Sequence, residues 1–129
     1  MSLNKQRPRD PDRARHMVEA AKLIVDFTTG RTFQELIMDL LLRSAVERQF
    51  EIMGEASSHI SKITQVLWPS IDWVKIKIFR NLLAHEYFRT NYTEVWHIAR
   101  DVPPGLIPIL EDLFTKLNRE FGPDATSSV

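Results

Sequence analysis

The chain is organised around residues 79–88, which read FRNLLAHEYF. No proline or glycine occurs from Asp72 to Phe88, and apolar residues recur at the three- and four-residue intervals of one helical face. These apolar positions are Trp73, Ile76, Phe79, Leu83 and Tyr87. The pattern predicts a helix that buries this face and carries polar side chains elsewhere.

The polar side of this predicted helix carries Lys77, Arg80, Asn81 and His85. Asn81 and His85 are four residues apart, so their side chains can touch. Arg80 and His85 are five residues apart, about 140° around the axis, so a straight helix does not aim them at one point. A two-fold dimer with this side at its seam would bring two copies of each side chain together.

This set of side chains has the chemistry needed to cleave RNA. Arginine binds phosphate through a forked, permanently charged donor, and histidine exchanges a proton near neutral pH. In such cleavage the ribose 2′-hydroxyl attacks the neighbouring phosphate, and no metal or other cofactor is strictly required. The same side chains would also suit an ordinary solvated helix face, and spacing alone leaves both interpretations open.

The spacing of Arg80, His85 and Tyr87 resembles the R-x4-H-x-Y signature of the HepT-like branch of the HEPN superfamily. Those are small all-α proteins that include toxin ribonucleases. The resemblance covers roughly residues 10–120, and further matches lie at 10–13, 45–48, 54–56, Trp73, Val95-Trp96 and Leu106.

The resemblance implies a homodimer with metal-independent endoribonuclease activity at the dimer seam. It implies that Arg80 and His85 are the catalytic pair, with Asn81 following the arginine. It also implies a type VII-like toxin–antitoxin system, whose antitoxin is a minimal nucleotidyltransferase that adds AMP to Tyr87. An anionic adduct on Tyr87 would pair with Arg80 and block the entry of phosphate. Lys77, on the same basic side of the helix, is a candidate for binding RNA.

The alternative is a non-catalytic module of the same fold that binds nucleotide or the nucleotidyltransferase. The charge balance favours this alternative, because 17 lysines and arginines face 17 aspartates and glutamates. Such a chain has no global positive field to attract nucleic acid. The helix around Arg80 is nevertheless locally basic, since Lys75, Lys77 and Arg89 accompany it against Glu86 alone.

The length and composition are those of one soluble globular domain. With 129 residues, 43% hydrophobic and 26% charged, the chain has enough material for one core. The absence of cysteine excludes a disulfide framework and a thiolate metal site. Residues 1–5 lack the apolar core of a signal peptide, and no apolar run is long enough to cross a bilayer, so we expect a cytoplasmic protein.

Proline, glycine and capping residues divide the chain into helices. We expect a first helix capped by Asp10, and a second that runs unbroken from the Thr32–Glu35 capping box to about Thr64. After the 79–88 region, a short helix should begin near Asn91 and a last one at Pro103 or Pro104. The sequence predicts an all-α, HEPN-like bundle of four to five helices over residues 10–122, between flexible tails at 1–9 and 123–129.

A stripe of acidic residues with one histidine recurs at four-residue intervals in the second predicted helix: Glu47, Glu51, Glu55 and His59. Carboxylates and a histidine on one face can hold a metal ion, but di-metal bundles use Glu-x-x-His motifs from two helices, and the sequence lacks a second such motif. A solvated or arginine-paired face is favoured, with Arg43 as a partner for Glu47.

Gly54 lies inside the same predicted helix, where glycine lowers stability relative to alanine. It indicates a helix crossing, a dimer contact, or a tolerated defect. Two further histidines are expected outside any site. His16 is interpreted as a side chain at the edge of the core, and His97 as a packing or surface residue.

Overall fold

The computed structural model describes residues 7–85 and 91–122. These ranges contain seven α-helices and no strand, which confirms the predicted all-α, single-domain class. The helices are α1 Asp10–Thr28, α2 Phe33–Met38, α3 Leu40–His59, α4 Lys62–Leu67, α5 Trp73–His85, α6 Tyr92–Asp101 and α7 Pro103–Phe121. A short 3-10 helix, Arg7–Arg9, precedes α1. None of the described helices combines the length and apolarity needed to span a bilayer.

Helix α3 lies at the centre of the bundle, between α1 on one side and α5 on the other. Helix α7 packs against α1. The core is one continuous cluster that includes Met17 and Ile24 of α1, Phe50 of α3 and Leu110 of α7. Phe50 meets Phe79 of α5 edge to face, with 4.8 Å between the ring centroids. This aromatic contact fixes α5 on the outer side of α3, where the candidate site lies.

The prediction of one helix from Phe33 to Thr64 is wrong, because the segment forms three helices. Asp39 leaves the helical conformation with φ −109° and ψ 99°, and its carboxylate accepts a 3.1 Å hydrogen bond from the backbone N–H of Leu42. An aspartate that caps a new helix in this way offers the backbone an alternative to continuing the old one. The bundle therefore has more helices than the four to five expected.

The second break, at Ile60 and Ser61, depends on Asp10. The Asp10 carboxylate is fully buried and accepts hydrogen bonds from the Ser61 backbone N–H at 3.0 Å, the Ser61 hydroxyl at 2.7 Å and the Thr64 hydroxyl at 2.6 Å. Asp10 was expected to cap α1, and this is wrong: Arg9 precedes the helix, and no side chain caps it. The carboxylate instead holds the start of α1 against the start of α4.

Other predicted helix boundaries are confirmed. Thr32 accepts a hydrogen bond from the Glu35 backbone N–H at 3.1 Å, and Asn91 accepts one from that of Glu94 at 3.2 Å. Gly30 follows α1 with a positive φ of 74°, a conformation that glycine adopts without strain. The predicted tails at 1–9 and 123–129 stay predictions, and residues 1–6 and 123–129 lie outside the described part.

Candidate active site

Arg80 lies where α5 crosses α3 at Gly54. Gly54 is buried, and a Cβ atom added there would lie 2.6 Å from the Cγ atom of Arg80. Carbon atoms cannot approach so closely, so the absence of a side chain at Gly54 lets the arginine stem rest on the α3 backbone. The interpretation of Gly54 as a helix crossing is confirmed.

The guanidinium of Arg80 is held from two sides. Its Nη2 donates to Oε2 of Glu55 at 2.6 Å, and its Nη1 donates to Oδ1 of Asn81 at 3.3 Å. A guanidinium has five N–H donors, so these two bonds leave others for a ligand. The Arg80 side chain is 32% exposed. It is therefore fixed in direction while remaining accessible.

The acidic stripe of α3 is largely paired with basic side chains, as the sequence predicted. Glu55 binds Arg80 and also lies 3.4 Å from Nε2 of His59, and Glu51 lies 3.4 Å from Nη1 of Arg48. In the described ranges, no three histidine, aspartate or glutamate residues cluster in a way that could hold a metal ion.

The expected ion pair between Arg43 and Glu47 does not form. Arg43 instead donates through Nη1 to the Ile37 carbonyl at the α2–α3 break, and its guanidinium lies 5.4 Å from the Tyr92 ring centroid. Burial raises the pKa of Tyr92 above its usual value, and the negative charge of Glu47 raises it further. The cluster of Arg43, Glu47 and Tyr92 connects the start of α6 to the α2–α3 break. This long-range contact is not predicted by any local sequence pattern.

The predicted site residues are distributed along α5. Arg80 and Asn81 contact each other, and Lys77 is exposed one turn before Asn81. His85 is the last residue of α5, and its side chain lies outside the described part of the structure. Tyr87 also lies outside the described residues, so the contact between Tyr87 and Arg80 stays a prediction.

A groove of about 350 Å³, lined mostly by charged residues, opens beside Arg80. Its lining comprises Arg13 and His16 of α1, Arg48, Glu51, Ile52, Glu55 and Ala56 of α3, and Arg80 of α5. The sequence predicts His16 at the edge of the core and does not associate it with Arg80. The three-residue spacing of Arg13 and His16 puts them on one helix face. This spacing is the only feature of the sequence that could have linked His16 to a site.

Comparison with known proteins identifies the family. The family model described as ribonuclease HepT-like matches residues 17–113 of the 129. The chain belongs to the HepT-like ribonuclease family. This confirms the resemblance inferred from the arginine–histidine–tyrosine motif, and it supports ribonuclease activity at the level of the family.

Several relatives carry names of the same kind. A Thermococcus cleftensis protein named as a probable ribonuclease HepT is 33% identical over 103 residues, which cover 80% of this chain and 90% of that protein. Two Methanocaldococcus jannaschii proteins provisionally named as RNases are 35% and 31% identical, covering 67% and 81% of this chain and 81% and 86% of their own lengths. No solved structure matches the chain significantly.

The crossing at Gly54 generates a stability prediction. Gly54→Ala gains helix propensity but forces α5 away from α3, and we expect a net loss of about 1–3 kcal/mol in the free energy of unfolding. The matched control is Gly105→Ala in α7, where an added Cβ meets no atom within 4 Å. Urea unfolding of both variants checks this, and equal stability of the two would contradict the crossing.

Proposed function

We propose that this chain is the toxin of a type VII-like toxin–antitoxin pair, a homodimeric, metal-independent endoribonuclease that acts in the cytoplasm. Arg80 binds the scissile phosphate and His85 transfers the proton. Asn81 orients Arg80, and Lys77 adds positive charge toward the RNA. The observation that carries the proposal is the fixed but accessible guanidinium of Arg80 in a chain that belongs to a ribonuclease family.

The proposed reaction is an internal transfer within the RNA. The ribose 2′-oxygen forms a bond to phosphorus while the bond from phosphorus to the 5′-oxygen of the next nucleotide breaks. The products are a 2′,3′-cyclic phosphate and a 5′-hydroxyl. His85 takes the proton of the 2′-hydroxyl or supplies one to the leaving oxygen, and Arg80 compensates the charge that develops on the non-bridging oxygens.

A dimer could bring together the motif arginine and histidine, which point in different directions on one helix. Arg80 and His85 lie about 140° apart on one helix, so a second copy is the simplest way to bring an arginine and a histidine to one phosphate. Val74 and Ile78 of α5 are 69% and 61% exposed. With Asn81 and His85 they recur at intervals of four, three and four residues, which places all four positions on one side of α5. We assign the seam to this side, because exposed apolar side chains favour association. The Arg80 side chain starts from another side of α5, but its guanidinium reaches the edge of the seam through its hydrogen bond to Asn81.

The antitoxin is proposed to act on Tyr87. In this step the Tyr87 oxygen forms a bond to the α-phosphorus of ATP, and pyrophosphate and the hydroxyl proton leave. The AMP group would place a negative phosphate near Arg80, where it would compete with RNA for the guanidinium. Intact mass of the chain after co-expression with a nucleotidyltransferase checks this step. A mass that is unchanged, or that still rises in Tyr87→Phe, would contradict the assignment.

A second candidate is a non-catalytic module that binds nucleotide or the nucleotidyltransferase. The equal numbers of acidic and basic residues favour it, as does the pairing of Arg80 with Glu55, which reduces the positive charge offered to RNA. Under this alternative, His85→Ala and the unsubstituted chain would bind ATP equally, and neither would cleave RNA.

The cleavage assay separates these candidates. In the presence of EDTA we expect the unsubstituted chain to cut total RNA, and Arg80→Ala and His85→Ala to lose about a hundredfold or more of the rate. Lys22→Ala, which removes a positive charge of α1 that is paired with Glu111 of α7, is the control and should cut normally. Undiminished cutting by His85→Ala, or cutting that requires added metal, would contradict the proposed mechanism.

The seam on α5 gives a separate prediction. Ile78→Glu places a charge within an apolar contact, and we expect it to convert the dimer into a folded monomer without ribonuclease activity. Leu41→Glu substitutes a side chain that is 80% exposed at the start of α3, and it should leave the dimer intact. Light scattering after gel filtration measures both. If the Ile78→Glu variant is still a dimer, the seam does not lie on this side of α5.

A further inference from the structure

We propose that the groove between α1 and α5 binds the RNA backbone phosphate next to the one that is cleaved, with Arg13 and Arg48 as its ligands. This inference rests on the proposed ribonuclease function, because Arg80 is taken as the contact of the scissile phosphate. It adds a binding subsite outside the motif helix, on two other helices.

The groove runs across the exposed surface of α3. Ile52 and Ala56 of α3 lie in its lining, with Arg13 and His16 of α1 on one wall and Arg80 of α5 on the other. Helix α3 contacts both α1 and α5, whereas α1 and α5 have little contact with each other. The two walls therefore stand on opposite sides of α3, and a ligand that reaches Arg80 along the groove passes Arg13.

The charges of the groove favour an anion at its α1 side. Three arginines line it against two glutamates. Glu55 lies 2.6 Å from Arg80 and Glu51 lies 3.4 Å from Arg48, so both carboxylates are already engaged. Within the described ranges, Arg13 has no ion pair with any acidic side chain. Its charge is the least compensated in the groove, and a phosphate would supply the missing partner.

The arrangement suits a chain of phosphates better than a single one. Helices that pack against each other lie about 8–10 Å apart. Because α1 and α5 pack on opposite sides of α3, they are farther apart than this, and their arginines meet different groups of an extended ligand. A groove of about 350 Å³ is of the size of small-ligand sites, which matches roughly one nucleotide. The half-buried Ile52 offers an apolar surface to a ribose or a base. None of these contacts selects a base, so the subsite would raise affinity for RNA of any sequence.

A neighbouring arginine provides a matched control. Arg15 belongs to the same helix as Arg13, but it is engaged by Asp12 at 3.7 Å and by Glu19 at 3.1 Å. It does not line the groove. Arg15→Ala removes the same charge from the same helix, and it therefore controls for the net charge of the molecule.

The test is the binding of a short single-stranded RNA whose riboses are 2′-O-methylated, so that it cannot be cleaved. Arg13→Ala, Arg48→Ala and Arg15→Ala are compared with the unsubstituted chain at several salt concentrations, after thermal unfolding has verified that each is folded. We expect Arg13→Ala and Arg48→Ala each to weaken binding about three- to tenfold, and to reduce the slope of log affinity against log salt by about 0.7. Arg15→Ala should match the unsubstituted chain.

Arg48→Ala keeps the test decisive if Arg13→Ala fails to fold, since the Arg48 side chain is 67% exposed. Unchanged affinity and salt slope in the folded groove variants would overturn the subsite, even if the unsubstituted chain cuts RNA. Binding that depends on Arg13 in a chain that cuts no RNA would support the groove as a phosphate site, but it would overturn the nuclease activity and with it the assignment of the groove next to a cleaved phosphate. Failure of the unsubstituted chain to bind this RNA would overturn both.

Discussion

The close approach of α5 to α3 at Gly54 is the constraint on which the site depends. Because Gly54 has no side chain, the stem of Arg80 lies on the α3 backbone, and its guanidinium comes within 2.6 Å of the next residue, Glu55. The edge-to-face contact of Phe50 and Phe79 holds the two helices together beneath this point. One glycine thus determines where the arginine can be and which carboxylate orients it.

At the candidate site, the Arg80 guanidinium has a fixed direction, and Glu55 compensates much of its positive charge. The Arg80–Glu55 pair is partly exposed, so it contributes little to the free energy of folding. Its effect is geometric, because it restricts a long side chain that would otherwise sample many rotamers. The overall charge of the chain is zero, so a global field does not attract RNA, and we propose that local groups such as Arg13 do. A ribonuclease with this charge distribution would have low affinity for polyanions in general.

The sequence predicted the features that depend on residues close together in the chain, such as helix caps. It did not predict contacts between residues that are far apart in the chain. The caps at Thr32 and Asn91 and the helical face of α5 follow local rules, whereas the roles of Arg80 and Asn81 stay predictions. Asp10 was misassigned because its partners, Ser61 and Thr64, lie more than fifty residues away. The pairing of Arg80 with Glu55, twenty-five residues apart, and the position of His16 beside them were equally invisible. The pairing depends on how α3 and α5 cross, and the position of His16 depends on how α1 packs against α3.

The positioning of Arg80 by the helix crossing is tested most directly by the cleavage rate of Glu55→Gln in EDTA, measured against Glu51→Gln. Both substitutions remove one negative charge from the same face of α3, but only Glu55 contacts Arg80. We expect kcat to fall on the order of tenfold for Glu55→Gln, because a neutral amide holds the guanidinium less firmly than the carboxylate does, while KM stays equal or falls as the groove becomes more positive. Glu51→Gln should keep kcat within about twofold, as expected for a group outside the reaction. A Glu55→Gln variant whose kcat equals or exceeds that of the unsubstituted chain would contradict the claim that the helix crossing positions Arg80 for catalysis.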